Sequence, residues 1–204
     1  MKTILFTLAV LSCIIVSFSA GQQTLTEPST GKSFPRQETI KFGGKEYALS
    51  VTGVAVRKKY FFKVYGIAHY IQAPGSFKTE DEAFTAIMAD GKAKEIIMDF
   101  ARDVDASKIK EAYLDGFKGH TSNEQLKKLD SSIIHFLTFF TNDLKENDRI
   151  ILRWLPGGIV ATTIQNSEMP PITDISFAQV LWSIWFGKDS IVDRDKLVKE
   201  IVQK

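Results

Sequence analysis

The chain of 204 residues has one cysteine, Cys13, and only three histidines, and these shortages exclude several classes of protein. A small domain held together by disulfides needs more than one cysteine. The histidines at positions 69, 120 and 135 are far apart and lack the paired spacing of a metal site. The sequence also contains no Rossmann fingerprint, phosphate-binding loop or GxSxG motif, so we expect neither a metal nor a cofactor.

The chain also lacks an excess of charge of either sign. Its 26 basic and 24 acidic residues leave a formal net charge of +2. Because phosphate binding needs a basic surface, this balance argues against nucleic acid as the main partner. With 44% hydrophobic residues, including 15 Phe, 5 Tyr and 3 Trp, the chain is too apolar to be disordered and can form a sizeable core.

The first 21 residues have the pattern of a signal peptide. Lys2 precedes an apolar run at residues 4–18, and the small residues Ser19, Ala20 and Gly21 follow, which favours cleavage after Gly21. The run is short for a membrane span, although a retained anchor is the alternative. Cys13 lies inside this run, so the mature chain has no thiol, as suits an oxidising compartment. We expect export to the periplasm, or otherwise secretion, with no stable membrane span after cleavage.

One domain is expected to follow the signal peptide. Residues 22–33 are polar, contain Pro28 and Gly31, and lack apolar periodicity, which predicts a flexible lead-in. From residue 34 to residue 204 no linker, charge block or repeat divides the chain, and this length is typical of a single domain.

The order of predicted elements indicates an α+β fold. Strands are predicted over 38–42 and 47–56 around a Gly43-Gly44 turn, and then over 60–71, 94–102, 149–155 and 159–165. Capping residues and apolar spacing predict helices that begin after Thr79, Asp105 and Ser122, and two closing helices near 176–186 and 193–202. We expect an antiparallel β-sheet with a layer of helices on one face, an open-faced sandwich.

Residues 53–71, GVAVRKKYFFKVYGIAHYI, form the most informative stretch. Together with landmarks before and after it, this stretch resembles the chalcone isomerase-like family, whose exported bacterial members have a similar G-x-x-x-R, F-K-V-Y and Y-aliphatic pattern. The resemblance covers about residues 34–197 and depends on the order and spacing of its motifs. The other landmarks are Phe34-Pro35, Gly44, Leu49, Phe100–Val104, Pro156-Gly157-Gly158 and Phe177–Gly187.

This resemblance implies an apolar cleft between the sheet and the helices. In the plant enzymes of the family the cleft holds a chalcone, and an arginine that Arg57 matches stabilises the phenolate and enolate. In the fatty-acid-binding members the corresponding arginine and a tyrosine hold a carboxylate, and Tyr65 looks like that tyrosine. The plant isomerases have a threonine there, so the chain is more similar to the fatty-acid-binding branch.

The spacing of Arg57 and Tyr65 allows two arrangements. A three-residue loop, Lys58–Tyr60, would place both side chains on one face of the sheet, about 13 Å apart between Cα atoms. A two-residue loop would place them on opposite faces. From the residues alone, Arg57 also fits a solvated hairpin tip and Tyr65 an ordinary aromatic residue of a sheet.

Three functions remain open. We expect binding of a small amphipathic ligand, a fatty acid or similar carboxylate, by Arg57 and Tyr65, without catalysis. The alternative is an intramolecular lyase acting on a chalcone-like substrate, with Arg57 as its catalytic residue. Against it, the plant enzymes' tyrosine and asparagine fall near Asp105 and Ala112, which supply neither group, although Tyr113 is adjacent. The third possibility is an envelope interaction module whose cleft is filled by its own core; its protein partners are unknown.

Overall fold

A computed structural model describes residues 23–203, so the predicted signal peptide and Cys13 lie outside the described residues. The strands within these residues are β1 (Thr24–Thr26), β2 (Ser33–Pro35), β3 (Gln37–Phe42), β4 (Lys45–Lys59), β5 (Phe62–Gln72), β6 (Lys94–Phe100), β7 (Arg149–Leu155), β8 (Ile159–Ile164), β9 (Ser167–Glu168) and β10 (Ile172–Thr173). The helices are α1 (Glu80–Met88), α2 (Ala106–Gly119), α3 (Asn123–Thr138) and α4 (Ile175–Phe186), followed by a 3₁₀ helix at Arg194–Val198.

Eight of the strands form one antiparallel sheet. Their order is β10-β8-β7-β6-β5-β4-β3, and β9 pairs with the last two residues of β8, Thr163 and Ile164. The first hairpin turns at Gly43 and Gly44, whose φ angles of 56° and 75° are the left-handed values that glycine adopts without strain. The predicted α+β fold with an antiparallel sheet is confirmed.

The helices pack on one face of this sheet and bury a core rich in aromatic residues. Helix α4 is apolar almost all round and lies in the centre of this layer, which explains why most of its side chains are buried. The caps of α1 and α3 are as predicted, because the hydroxyls of Thr79 and Ser122 accept hydrogen bonds from backbone N–H groups. Asp105 precedes α2, but the carboxylate that accepts from Ala106 N belongs to Asp143, at 2.9 Å.

The opposite face of the sheet carries a smaller apolar core, covered by β1 and β2. Phe34 is buried there, and the hydroxyl of Tyr70 donates to the carbonyl of Pro35 at 2.8 Å. Residues 22–33, expected to be a flexible lead-in, thus include a strand and a turn. The buried Glu27 carboxylate accepts hydrogen bonds from Ser29 N and Thr30 N, and this polar network gave no apolar signal in the sequence.

The predicted helix over 193–202 is wrong. In this segment only the five residues of the 3₁₀ helix, Arg194–Val198, are helical. This segment lies so close to Gly53 on β4 that a Cβ there would be 2.1 Å from the carbonyl oxygen of Lys196. Thr52 binds the segment at two points, because its hydroxyl donates to Leu197 O and its carbonyl accepts from Glu200 N. Contacts with the sheet therefore replace helical hydrogen bonds. Within residues 23–203 no helix is both long and apolar enough to cross a membrane.

Candidate functional site

Arg57 on β4 and Tyr65 on β5 are directly opposite each other in the sheet. The hairpin that joins them turns at Tyr60-Phe61, which is the two-residue alternative, and the separation of 13 Å that a three-residue loop would give does not occur. Lys58 pairs with Lys63 and Arg57 with Tyr65, which leaves Val64 as the extra residue of a β-bulge. The bulge restores the shared face that a two-residue turn alone would have removed, because directly paired residues point to the same side.

The Arg57 guanidinium is half-buried and lacks an acidic partner. Its Nη1 donates to the carbonyl oxygen of Ile191 at 2.7 Å, in the segment that follows α4. Among residues 23–203 no carboxylate forms an ion pair with it, and its other N–H groups donate to no protein acceptor. This cation can therefore accept an anionic partner from outside the chain.

Tyr65 is buried, and its ring packs against Phe100 with 5.4 Å between the centroids. Its hydroxyl accepts a hydrogen bond of 3.1 Å from Nε1 of Trp185 on α4. Burial raises the pKa of Tyr65 to about 12, against the lowering effects of the Trp185 hydrogen bond and the Arg57 charge. The phenol is thus neutral at ordinary pH, and within the described part of the chain its O–H proton has no acceptor.

An apolar cavity of about 40 Å³ lies beside Tyr65, between the sheet and helices α2 and α4. It is much smaller than the pockets of roughly 300 Å³ or more that hold small ligands, and it has room for about one water molecule. Side chains therefore fill most of the expected cleft, as the third possible function requires. The lining residues are Tyr65, Met98, Phe100, Ile109, Ala112, Tyr113, Ile150, Ile184, Trp185 and Ile191.

Tyr113 is the second phenol of this cavity. Its ring is buried, and among residues 23–203 its hydroxyl has only the sulfur of Met98 as a partner, at 4.0 Å. Burial raises the pKa of Tyr113 well above the ordinary value. Ala112 lines the same cavity, whereas Asp105 is not among the lining residues. The sequence placed Tyr113 beside a family position but assigned it no contact.

Two other residues of the site were missed in the sequence. Trp185 was noted only as part of a family landmark, and Ile191 was not considered. Trp185 is 120 positions from its partner Tyr65, so no local pattern links them. The one available signal for Trp185 was its residue type. A buried Trp N–H needs an acceptor, so a Trp next to a predicted cleft indicates a hydrogen bond there.

The histidines lie outside this cavity. Nδ1 of His69 is 2.7 Å from the Thr52 hydroxyl, and Nδ1 of His120 is 2.8 Å from the carbonyl of Gly116. In the part of the chain that the structure describes, no group of His, Cys, Asp and Glu side chains has the arrangement of a metal site.

A larger cavity of about 310 Å³ lies on the other face of the sheet, under the β1–β2 hairpin. Glu27 lines it, but the carboxylate of this residue is already used by the turn at Ser29 and Thr30. The cavity includes neither Arg57 nor Tyr65, and it is separate from the predicted site.

Comparisons with known proteins agree on the architecture. A family model described as chalcone isomerase-like matches residues 30–200. The crystal structure of a fatty-acid binding protein from Arabidopsis thaliana, AtFAP1, superposes with a TM-score of 0.68 and 17% sequence identity, covering 88% of this chain and 98% of the other. At this identity the similarity shows a shared fold. No curated protein matches the sequence.

Proposed function

The chain belongs to the chalcone isomerase-like family, and from this premise we propose that it binds a fatty acid or a similar amphipathic carboxylate without catalysing a reaction. The observation that supports the proposal is a pair of side chains that still have N–H or O–H groups without an acceptor among residues 23–203. Arg57 and Tyr65 face the same side of the sheet from paired positions, and each has N–H or O–H groups still to donate.

A carboxylate fits these two groups better than a neutral ligand does. A guanidinium is always charged, and its planar array of donors matches the two oxygens of a carboxylate. The neutral phenol of Tyr65 adds a donor without a competing charge. Because a half-buried charge without a counterion is unfavourable, a bound anion would also relieve the cost of burying Arg57.

The apolar tail of the ligand would enter beside Tyr65, where the cavity walls are almost entirely apolar. Each buried methylene would contribute about 0.8 kcal/mol before ordering costs. The cavity must enlarge first, and Ile191 is the lining residue best placed to move. Its carbonyl occupies an Arg57 N–H group that the carboxylate would compete for. AtFAP1, which has the same fold, is described as a fatty-acid binding protein, and this supports the proposal.

An intramolecular lyase is the second candidate, and the observation in its favour is the position of Tyr113. Two phenols, Tyr65 and Tyr113, line the cavity, and both could stabilise an enolate oxygen by hydrogen bonds. Loss of absorbance of an added chalcone would detect this activity. Turnover that disappears in Arg57→Ala would replace the binding proposal by the enzymatic one.

We also propose that residues 1–21 direct export to the periplasm or the medium. Intact mass of the protein from each cell fraction tests this, and a cytoplasmic chain that keeps these residues would contradict it.

Native mass spectrometry tests the binding proposal directly. Protein purified without denaturation should retain an acid of lipid mass, or should take up a medium-chain fatty acid added after delipidation. The fatty alcohol of the same length is the matched ligand control, because it has the same tail without the charge, and we expect it to bind at least about tenfold more weakly. If neither ligand is bound, or both bind equally, the proposal fails, and absence of both favours the interaction module.

A further inference from the structure

The turn of the β4–β5 hairpin exposes three consecutive aromatic side chains. Tyr60 is 84% exposed, Phe61 98% and Phe62 58%. The other large hydrophobic residues exposed within residues 23–203 are two isoleucines on different helices, Ile134 on α3 and Ile175 on α4. Single apolar residues on a surface are ordinary, whereas a contiguous group at a projecting tip indicates a contact surface. Residues 57–63 are called the hairpin tip below.

The hairpin tip is also the most basic part of the chain. Its seven residues include Arg57, Lys58, Lys59 and Lys63, and no acidic residue occurs anywhere from position 47 to position 79. The whole chain has a net charge of only +2, so this is a local concentration of charge. Arg102 extends it, since its guanidinium lies over the Phe62 ring at 4.5 Å.

These cations are not neutralised by the protein. In the described part of the chain none of the five basic side chains forms an ion pair with a carboxylate. Lys63 donates to the backbone carbonyl of Ser29, which is uncharged. The charge of Lys59 contributes to lowering the pKa of Glu111, but the ion pair of Glu111 is with Lys108, at 2.7 Å.

The backbone of the tip has an unfavourable residue at its turn. Tyr60 has a φ of 55°, in the left-handed region where a two-residue hairpin turn normally has Asn or Gly. A bulky aromatic residue in this conformation lowers stability relative to Asn. The strain is unexplained by packing, because the Tyr60 side chain is exposed, and such a residue points to a function at the tip.

We propose that the hairpin tip docks on the surface of a lipid bilayer with anionic headgroups. Aromatic side chains favour the interfacial zone of a membrane, and unpaired lysines are attracted to its negative surface. A protein partner would also cover aromatic residues, but exposed aromatics beside cations that no carboxylate neutralises match both the interfacial zone and the negative charge of a membrane surface. The same hairpin carries Arg57, so docking would bring the mouth of the proposed ligand site to the lipid.

A tryptophan placed at the tip measures its insertion. The native residues Trp154, Trp182 and Trp185 are at most 1% exposed, so Phe61→Trp adds the one solvent-exposed indole. With vesicles of brominated phosphatidylglycerol we expect a blue shift and quenching of this signal. Ile134→Trp, at an exposed position of α3 outside the hairpin tip, is the matched control and should show neither. The apolar run at residues 4–18 contains no tryptophan, so attachment through that run alone would leave Phe61→Trp unquenched and would overturn the proposal.

A second variant separates docking from folding. Tyr60→Gly/Phe61→Asn installs a preferred sequence for a turn in which, as here, only the first central residue has a positive φ. It should unfold at the same temperature as the wild type or higher, while binding to phosphatidylglycerol vesicles falls about tenfold or more. Lys58→Glu/Lys59→Glu should also weaken binding, and Lys118→Glu/Lys127→Glu, equal in charge change, should not. Unchanged binding of the turn variant, or equal binding to zwitterionic phosphatidylcholine, contradicts the proposal. These results do not depend on fatty acid binding, so each proposal can fail alone.

Discussion

Trp185 on α4 donates a hydrogen bond of 3.1 Å to the hydroxyl of Tyr65 on β5, and so joins the helical layer to the sheet at the cavity. Both side chains are buried, so neither group can exchange this bond for one with water without a rearrangement. A buried donor that loses its acceptor is costly. The bond therefore has a measurable consequence for stability.

Tyr65→Phe should lower the free energy of unfolding by about 1 to 3 kcal/mol, because it leaves the indole N–H of Trp185 without an acceptor. Urea denaturation measures the loss. Trp185→Phe and the double variant complete a cycle, in which the cost of the double variant should be smaller than the sum of the single costs. Additive costs would show that the two side chains do not interact in solution.

Arg57→Gln should weaken fatty acid binding by about tenfold to a hundredfold, because the charged partner of the carboxylate is removed. Its stability should change little, since within the described residues the half-buried guanidinium has one hydrogen bond, to Ile191 O. Isothermal titration with a medium-chain acid measures both affinity and stoichiometry. Lys58→Gln, the neighbouring and exposed cation, is the control and should keep the affinity of the wild type. Equal losses in the two variants would mean that only general charge matters.

The buried carboxyl group of Glu95 should make the folded protein less stable as pH rises from 4.5 to 7. Burial raises the pKa of Glu95 to about 7 from 4.5, although Arg153 lies 2.6 Å away and lowers it. Between these two values the folded chain keeps the proton and the unfolded chain loses it. The contribution of Glu95 is therefore complete below pH 4.5 and is lost as pH rises through 7, by up to about 1.4 kcal/mol per pH unit.

Glu95→Gln removes this titration, so its free energy of unfolding should lack the fall between pH 4.5 and 7 that the wild type shows. Urea denaturation at several pH values compares the two slopes. Parallel curves would mean that the Arg153 ion pair, and not burial, determines the pKa of Glu95.

Gly53→Ala should be strongly destabilising, by about 3 kcal/mol, because the new methyl group would meet the backbone at Lys196 and Leu197. Gly119→Ala is the matched control. A Cβ at Gly119 meets nothing within 4 Å, and alanine is the better helix former, so no loss is expected. Thermal unfolding of both variants is sufficient. A stable Gly53→Ala variant would show that the C-terminal segment is not held against β4.

Local rules were sufficient for much of the fold. Gly43 and Gly44 fixed the first hairpin through their backbone freedom, and Thr79 and Ser122 marked helix starts through side chains that cap nearby N–H groups. The last segment was predicted wrongly for a long-range reason. Its backbone groups bind Thr52, some 145 positions earlier, and sequence periodicity does not register such contacts.

The geometry of the candidate site could not be predicted from the sequence. The resemblance singled out Arg57 and Tyr65, whereas their direct pairing depends on a bulge at Val64 that no residue type announces. The small volume of the cavity depends on how side chains from two helices and three strands pack together. One example is Ile184 of α4, which packs against Gly116 of α2. Packing of this kind follows from the assembled fold.

The bulge at Val64 also divides the hairpin into two parts that can change separately. Because it sets the alignment of Arg57 with Tyr65 on the inner side, substitutions at the outer turn leave that alignment as it is. Relatives with the same inner pair are thus free to present quite different turns, and each turn can contact a different surface while the inner pair stays aligned.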